Sequence, residues 1–315
     1  MIEKKAMIDN CHIRRFIYFN KGRQAFYWLL RQLGAHPGQK ILLPAYIGWS
    51  PREGSGVFDP VSDLELDPVF YHMSPDLTID CDDFLSKLFN NPVRFALIIH
   101  YFGFVDKAYH ELIEALINKG VVIIEDSAHA LLTDLVGSVC GRLCDASIFS
   151  LHKILPVEIG GLLAIRNDSP ISPIIRCREG QDLNVLNPWE YDLAEIACIR
   201  IRNYKYWIDR LQPYNKMLEP LHPILCNREI PQSLPLLVNS GSRDHLYLRM
   251  NELGFGVVSL YHTLIKEIDP RIFQIETALS RHITNFPVHQ DVTLESIDSM
   301  LKALDGFFTN SGAKM

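Results

Sequence analysis

The apolar run Val121-Val122-Ile123-Ile124 ends in two carboxylates, Glu125 and Asp126, followed by Ser127-Ala128-His129. Farther along, Phe149-Ser150-Leu151-His152-Lys153 sets a lysine shortly after a serine. A carboxylate buried at the end of a strand can hold a pyridinium nitrogen protonated, and a lysine amine can form a Schiff base with an aldehyde. These are the two protein groups that pyridoxal phosphate (PLP) needs in order to act as an electron sink. Either alone says little, because strands often end in Asp and surfaces carry many lysines. Their order, and the residues around them, give the pair its meaning.

A phosphate needs donors as well. The loop Asn20-Lys21-Gly22-Arg23 precedes a helical pattern over residues 24–33, where Phe26, Leu29, Leu30 and Leu33 recur at helical spacing. Gly34 closes that helix, the usual place for glycine. Such a loop can present free backbone N–H groups at a helix N-terminus, which suits an anion.

The elements that must position these groups follow from pattern. Residues 40–43 read as a buried strand ending at Pro44, and residues 68–71 as another. Residues 82–88 look helical, 95–100 read as a fully buried strand, 109–118 as a helix ended by Gly120, and 121–125 as a further strand. Strand, helix and strand at these lengths make a βαβ unit, which predicts parallel strands. Ligands bind such sheets beyond the carboxyl ends of the strands, where Asp126 falls. Residues 146–150 and 162–165 read as two short strands separated by the Lys153 loop and Gly160-Gly161.

A long helical pattern over 191–211 places Ile196, Ile199, Tyr206 and Leu211 on its apolar side. Pro213, Pro220, Pro223, Pro231 and Pro235 then interrupt the chain. That stretch marks the best boundary, giving a large domain over 1–212 and a small C-terminal one over 213–315 with a strand at 234–238 and helices at 243–253 and 294–304. Thr293 suits the N-cap of the last helix.

Composition narrows the function class. The 315 residues suffice for one large α/β domain with an appendage. A net charge of −6 offers no basic face for nucleic acid. No apolar run reaches membrane-spanning length, since the best, 95–105, is short and contains His100. Met1-Ile2-Glu3-Lys4-Lys5 has no apolar core for a signal peptide, so a cytoplasmic location is expected. Seven scattered cysteines, an odd number, fit reduced thiols. Cys140 and Cys144 form a lone C-x3-C with no second ligand pair nearby, so no metal is expected.

In this order the segments resemble the PLP-dependent sugar aminotransferases of the DegT and StrS type, within the aspartate aminotransferase superfamily. Gly22-Arg23-Gln24-Ala25, Leu33-Gly34, Pro37-Gly38 and Leu42-Leu43-Pro44-Ala45-Tyr46 resemble the family's phosphate loop, first helix and first strand. His100-Tyr101-Phe102-Gly103 and Glu125-Asp126-Ser127-Ala128-His129 resemble its central βαβ unit. Phe149-Ser150-Leu151-His152-Lys153 with Gly160-Gly161 resembles its Schiff-base loop, and Phe286-Pro287-Val288-His289-Gln290 the motif before its last helix. The resemblance spans roughly residues 15–305 and implies PLP fold type I: a three-layer α/β domain with a mostly parallel sheet flanked by helices, and a smaller α+β C-terminal domain.

The resemblance also implies roles. Asp126 would pair with the pyridine nitrogen and Lys153 would carry the Schiff base. Gly22, Arg23 and Gln24 would grip the phosphate, with Ser150 as hydroxyl partner. His129 takes the place of a Gln or His that contacts the ring's phenolic oxygen. Trp49 falls one position from the aromatic that stacks on the ring, with Gly48 at the matching place. The implied reaction moves an amino group from an amino acid, glutamate first among donors, to a nucleotide-linked keto sugar, in a homodimer. Arg176, Arg178 and Arg202 are candidates for the diphosphate, since guanidinium groups pair two oxygens at once.

Two departures motivate other readings. Family members commonly carry two more residues between the serine and the lysine, and the Gly-x-Asn-x-Arg-Met segment that completes a partner's site has only a poor counterpart at 180–187. A non-catalytic or regulatory relative is one alternative. A PLP-dependent sugar dehydratase, with His152 as base, is another.

Overall fold

The computed structural model describes residues 14–175 and 187–310. Its main sheet takes seven strands from the first half of the chain: β1 (Arg14–Phe19), β2 (Lys40–Pro44), β3 (Asp67–Tyr71), β4 (Val93–Ile99), β5 (Val122–Asp126), β6 (Ala146–Ser150) and β7 (Gly161–Arg166). Their spatial order is β1-β7-β6-β5-β4-β2-β3. From β3 to β6 every pairing is parallel, as the βαβ pattern requires, while β7 runs antiparallel to both β6 and β1. The helices α1 (Gly22–Gln32), α2 (Phe58–Asp63), α3 (Cys81–Asn90) and α4 (Tyr109–Lys119) connect these strands.

The helix pattern at 24–33 is α1, which buries Ala25, Phe26, Leu29 and Leu30. Fully burying one such leucine contributes about 1.5–3 kcal/mol. The helix stops where Gly34 takes φ 68°. In α3, Asp80 caps the start by accepting the Asp83 N–H at 3.1 Å. The central β4, and β5 up to its two closing carboxylates, are largely apolar because both faces of a parallel sheet are covered.

Beyond α5 (Leu193–Arg210), the strands β8 (Leu218–Pro220), β9 (Leu234–Val238) and β10 (Ile283–Phe286) form a separate antiparallel sheet in the order β10-β9-β8. The helices α6 (Arg243–Glu252), α7 (Gln274–His282) and α8 (Leu294–Asn310) accompany it. The whole is an α/β protein with a mostly parallel sheet flanked by helices and a smaller α+β C-terminal part.

The long helix differs from its expected orientation. Its buried face is Ala197, Arg200, Asn203, Tyr204 and Trp207, whereas Ile196, Ile199 and Tyr206 are only half-buried. Hydrophobic periodicity places apolar residues inside, and here an arginine and an asparagine occupy that face. Five elements, β1, α2, β8, α7 and β10, were not anticipated. Two arginines open β1 and mask its alternation, and α2 and β8 are too short to show a period.

Candidate active site

Two glycines bring three parts of the chain together. A Cβ on Gly161 would lie 2.4 Å from the carbonyl carbon of Lys21 and 2.7 Å from the Gly22 nitrogen, so only glycine lets β7 pass the start of α1. A Cβ on Gly22 would lie 2.7 Å from Ser150 Oγ and 3.2 Å from the carbonyl oxygen of Phe149. The N-terminus of α1 therefore rests directly against the end of β6. Its first turn has no side-chain cap and no acidic residue. The amides of Gly22 and Arg23 belong to that first turn, which has no helical acceptors.

One open cavity at this place is lined by Gly22, Arg23, Trp49, Asp126, His129, Ser150 and Lys153. Gln24 is exposed and not among the lining residues. The Arg23 guanidinium donates to Asp59 Oδ2 at 3.0 Å, which ties it to the loop at Gly54–Ser55 on the cavity's edge. Trp49 sits there with 43% of its surface exposed.

Asp126 ends β5, and its Oδ1 accepts the Ala128 N–H at 2.9 Å. Burial raises its pKa, an effect that nearby Lys153 and the Ala128 amide oppose. Lys153 follows β6 on a single tight turn, Leu151–Lys153. Its side chain reaches solvent through the open mouth, yet the amine sits deep enough that desolvation pulls its pKa below the lysine range, against the pull of Asp126.

His129 joins the two. Its Nδ1 accepts the Phe102 N–H at 3.3 Å, and its Nε2 lies 3.1 Å from Lys153 Nζ. Burial, then the neighbouring Lys153, pushes its pKa well down, so the ring is neutral. A backbone N–H can only donate, so Nδ1 is the acceptor and Nε2 carries the proton. That proton faces Lys153 Nζ, a contact that favours the free amine and runs in the same direction as the lowered lysine pKa.

Beneath Asp126, the buried Glu125 accepts from His100 Nε2 at 2.8 Å, Tyr109 Oη at 2.6 Å and the Gly141 amide at 2.8 Å. Burial alone would raise its pKa; the His100 and Tyr109 donors outweigh that and hold it low. Cys140 lies close enough to His100 and Glu125 for the three to surround an ion, within 4.8 Å of one another. Both Glu125 oxygens are already committed to these donors.

Sequence reasoning missed the opposite wall. Ser259, Leu260, Tyr261 and His262, from the segment between α6 and α7, line the same cavity. The Tyr261 ring packs at centroid distances of 5.4 Å on Tyr46, 5.3 Å on Tyr101 and 5.8 Å on His129. No local pattern marks these residues, and only an aromatic-histidine pair in a loop hints at them. His152 lines a different cavity behind the lysine turn, with Arg200 and Asp291. Arg202 is exposed and donates to its neighbour Asn203, while Arg176 and Arg178 lie outside the described residues.

The residues fit PLP: an uncapped helix start with a serine for a phosphate, an amine for an aldehyde and a carboxylate for a ring nitrogen. Comparison with known proteins agrees. The model of the DegT/DnrJ/EryC1/StrS aminotransferase family matches residues 4–181. A GDP-perosamine synthase from Caulobacter vibrioides is 21% identical, over 96% of this chain and 88% of its own length. A DegT DnrJ EryC1 StrS aminotransferase from Brucella abortus superposes with a TM-score of 0.73 at 17% identity, over 93% of this chain and 86% of that one. An E. coli GDP-4-keto-6-deoxy-D-mannose-3-dehydratase with bound hydrated PLP superposes with a TM-score of 0.70 at 14% identity, over 92% and 87%.

Proposed function

The chain belongs to the DegT/DnrJ/EryC1/StrS aminotransferase family, which is PLP-dependent, and we propose that it moves an amino group from an amino acid, glutamate first among donors, to a keto sugar carried on a nucleotide. It is an aminotransferase, and PLP is its cofactor. The observation that carries the reading is the convergence of the Lys153 amine, the Asp126 carboxylate and the start of α1 with Ser150 on one cavity. The names of the Caulobacter and E. coli relatives, both GDP-linked, support a nucleotide-borne sugar.

In this reading the amides of Gly22 and Arg23, with the Ser150 hydroxyl, hold the phosphate. Trp49 and Tyr261 supply aromatic walls. When bound, PLP contributes an electron sink beside a reactive aldehyde. Lys153 anchors that group through its amine. Once displaced by the donor's amine, Lys153 takes and returns the proton at the reacting carbon. Asp126 holds a proton at the ring nitrogen. His129 directs its Nε2–H at the Lys153 nitrogen and would supply that donor to the phenolic oxygen of bound PLP.

The same reading takes the protein as a homodimer in the cytoplasm. It divides the chain near residue 212, supported by two sheets that share no strand. Among the described residues no helix is long and apolar enough to cross a membrane.

Borohydride reduction and peptide mapping should place the pyridoxyl label on Lys153, and a label on another lysine would refute that assignment. Single-turnover reaction of the aminated enzyme with nucleotide keto sugars and with simple keto acids tests the substrate. Reaction with keto acids alone would remove the sugar from the proposal.

A further inference from the structure

The buried face of α5 is unusual in what it grips. Asn203 Nδ2 reaches the carbonyls of Val288 and His289, both at 3.3 Å, and of Val292 at 2.8 Å. Trp207 Nε1 donates to the Pro287 carbonyl at 3.2 Å. The turn over 287–292 is thus laced to the helix. From that turn Gln290 extends to the lysine loop, where its Nε2 donates to the Ile154 carbonyl at 3.3 Å.

Arg200 completes the arrangement from one turn earlier on the helix. Its Nη2 donates both to Ile154 O at 3.2 Å and to Gln290 Oε1 at 2.9 Å, and its Nη1 to the Gln232 carbonyl at 2.9 Å. The side chain is 2% exposed, and Nε finds no partner among the described residues. Its bonded partners are therefore neutral. Burial lowers its pKa to about 10, which leaves it charged at neutral pH. The nearby Asp291 carboxylate, on the same cavity, opposes that shift without bonding to the guanidinium. A buried cation with no directly bonded carboxylate is costly, and an apolar side chain would fill the same space without that cost.

What the charge secures is the residue next to Lys153. At the lysine the loop's own backbone bonds are those of one turn, in which the Ile154 and Leu155 amides both bond to the Leu151 carbonyl. At its flanks the Leu151 N–H bonds to the Gly160 carbonyl and the Val157 N–H to the Leu155 carbonyl. Ile154 and Leu155 pack on one side, but the whole stretch 152–156 borders the second cavity, so packing does not back the loop on that side. Arg200 and Gln290 line that cavity and bridge it.

We propose that Arg200, acting with Gln290, positions Lys153 by clamping the Ile154 carbonyl. The proposal rests on Lys153 being the lysine that captures PLP. Arg200 is a positioning residue, since it acts on the amine only through the loop.

The test uses full-length apoprotein and follows the absorbance band that appears when PLP is added. Pyridoxamine phosphate, which cannot react with lysine, measures non-covalent binding in parallel. For Arg200→Met we expect covalent capture at least tenfold slower, with pyridoxamine phosphate binding within twofold of wild type and partial recovery in Arg200→Lys. A folded Arg200→Met that captures PLP at the wild-type rate would overturn the clamp, as would equal losses in both measurements. Should Arg200→Met fail to fold, Gln290→Ala decides: several-fold slower capture supports the clamp, and an unchanged rate removes it. Wild-type protein whose label lands elsewhere than Lys153 would instead fault the assignment on which the clamp depends.

Discussion

Phe102 holds its backbone in the left-handed region, at φ 56°, and the amide it presents to His129 decides which nitrogen of that ring carries the proton. A bulky residue there costs on the order of 1–3 kcal/mol and persists only where surrounding structure imposes it. The consequence is chemical. A protonated lysine cannot attack an aldehyde, so any shift of the Lys153 pKa downward enlarges the reactive fraction at a given pH. Burial lowers it, Asp126 and Glu53 pull it back, and the net direction is down. PLP capture should therefore rise with pH and level off below the ordinary lysine value of about 10.4. Stopped-flow absorbance across that range checks it, and a midpoint at or above the ordinary value would contradict the burial argument. On the proposed assignment, Asp126→Asn keeps the shape and removes the charge. Amino transfer should fall by about 3 kcal/mol in transition-state stabilisation, the scale of a lost preorganised group, with PLP still bound. An unchanged single-turnover rate would leave Asp126 as a strand cap. Residues of this kind could be singled out because their chemistry is specific to type: Asp126, Ser150 and Lys153, named from sequence, line one cavity in the structure. The Phe102 amide was not, since a backbone dihedral leaves no mark on composition.

The elements that were legible are those with a clear apolar run or period and a marked end, such as α1 closed by Gly34, α4 closed by Gly120, and the central strands β4 and β5. Elements fixed by distant polar partners were not. The segment Thr133–Gly137, a wide helical turn with a five-residue hydrogen-bond step, is the clearest case. Its Asp134 is fully buried and takes both ends of the Arg14 guanidinium, Nη1 at 2.7 Å to Oδ2, along with Arg142 from the following loop. Arg14 opens β1, so one carboxylate joins the sheet edge to the turn that follows the His129 segment. The pair is closed to water, unlike the exposed ion pairs that contribute little. Removing one member of a buried pair leaves the other charge unpaired, at a cost of about 3–5 kcal/mol. Asp134→Asn should lower the free energy of urea unfolding by that amount with an unchanged denaturant slope. A loss under about 1 kcal/mol would mean that the two arginines find water instead.

At the scale of the whole molecule, two distant stretches of chain build one site. The Ile265 amide bonds to the Ile47 carbonyl at 3.0 Å and the Trp49 amide to the Thr263 carbonyl at 2.9 Å, with Gly48 and Leu264 bridged between them. This seam carries Tyr261 into a cavity otherwise built by the first half of the chain. A Cβ on Gly48 would sit 2.8 Å from the Tyr261 ring, which explains a glycine there. The βαβ unit and its parallel strands were readable from local pattern, and the fold type from the resemblance. The seam was not, because it joins residues that no periodicity connects. Tyr261 is the place to test it. Truncating a buried aromatic to alanine costs about 3–5 kcal/mol, and Tyr261 is only half-buried, so Tyr261→Ala should fall near or below the lower end of that range. Its contacts with Tyr46, Tyr101, Phe102 and His129 are all made by the ring. Tyr261→Phe should therefore keep the stability and hold PLP, while Tyr261→Ala should lose both, seen as a lower melting temperature and a weaker PLP titration. If Tyr261→Phe loses PLP as fully as Tyr261→Ala does, the hydroxyl and not the wall is what the C-terminal segment delivers. If neither variant changes the titration, the cofactor site is complete within the first half of the chain and the seam serves stability alone.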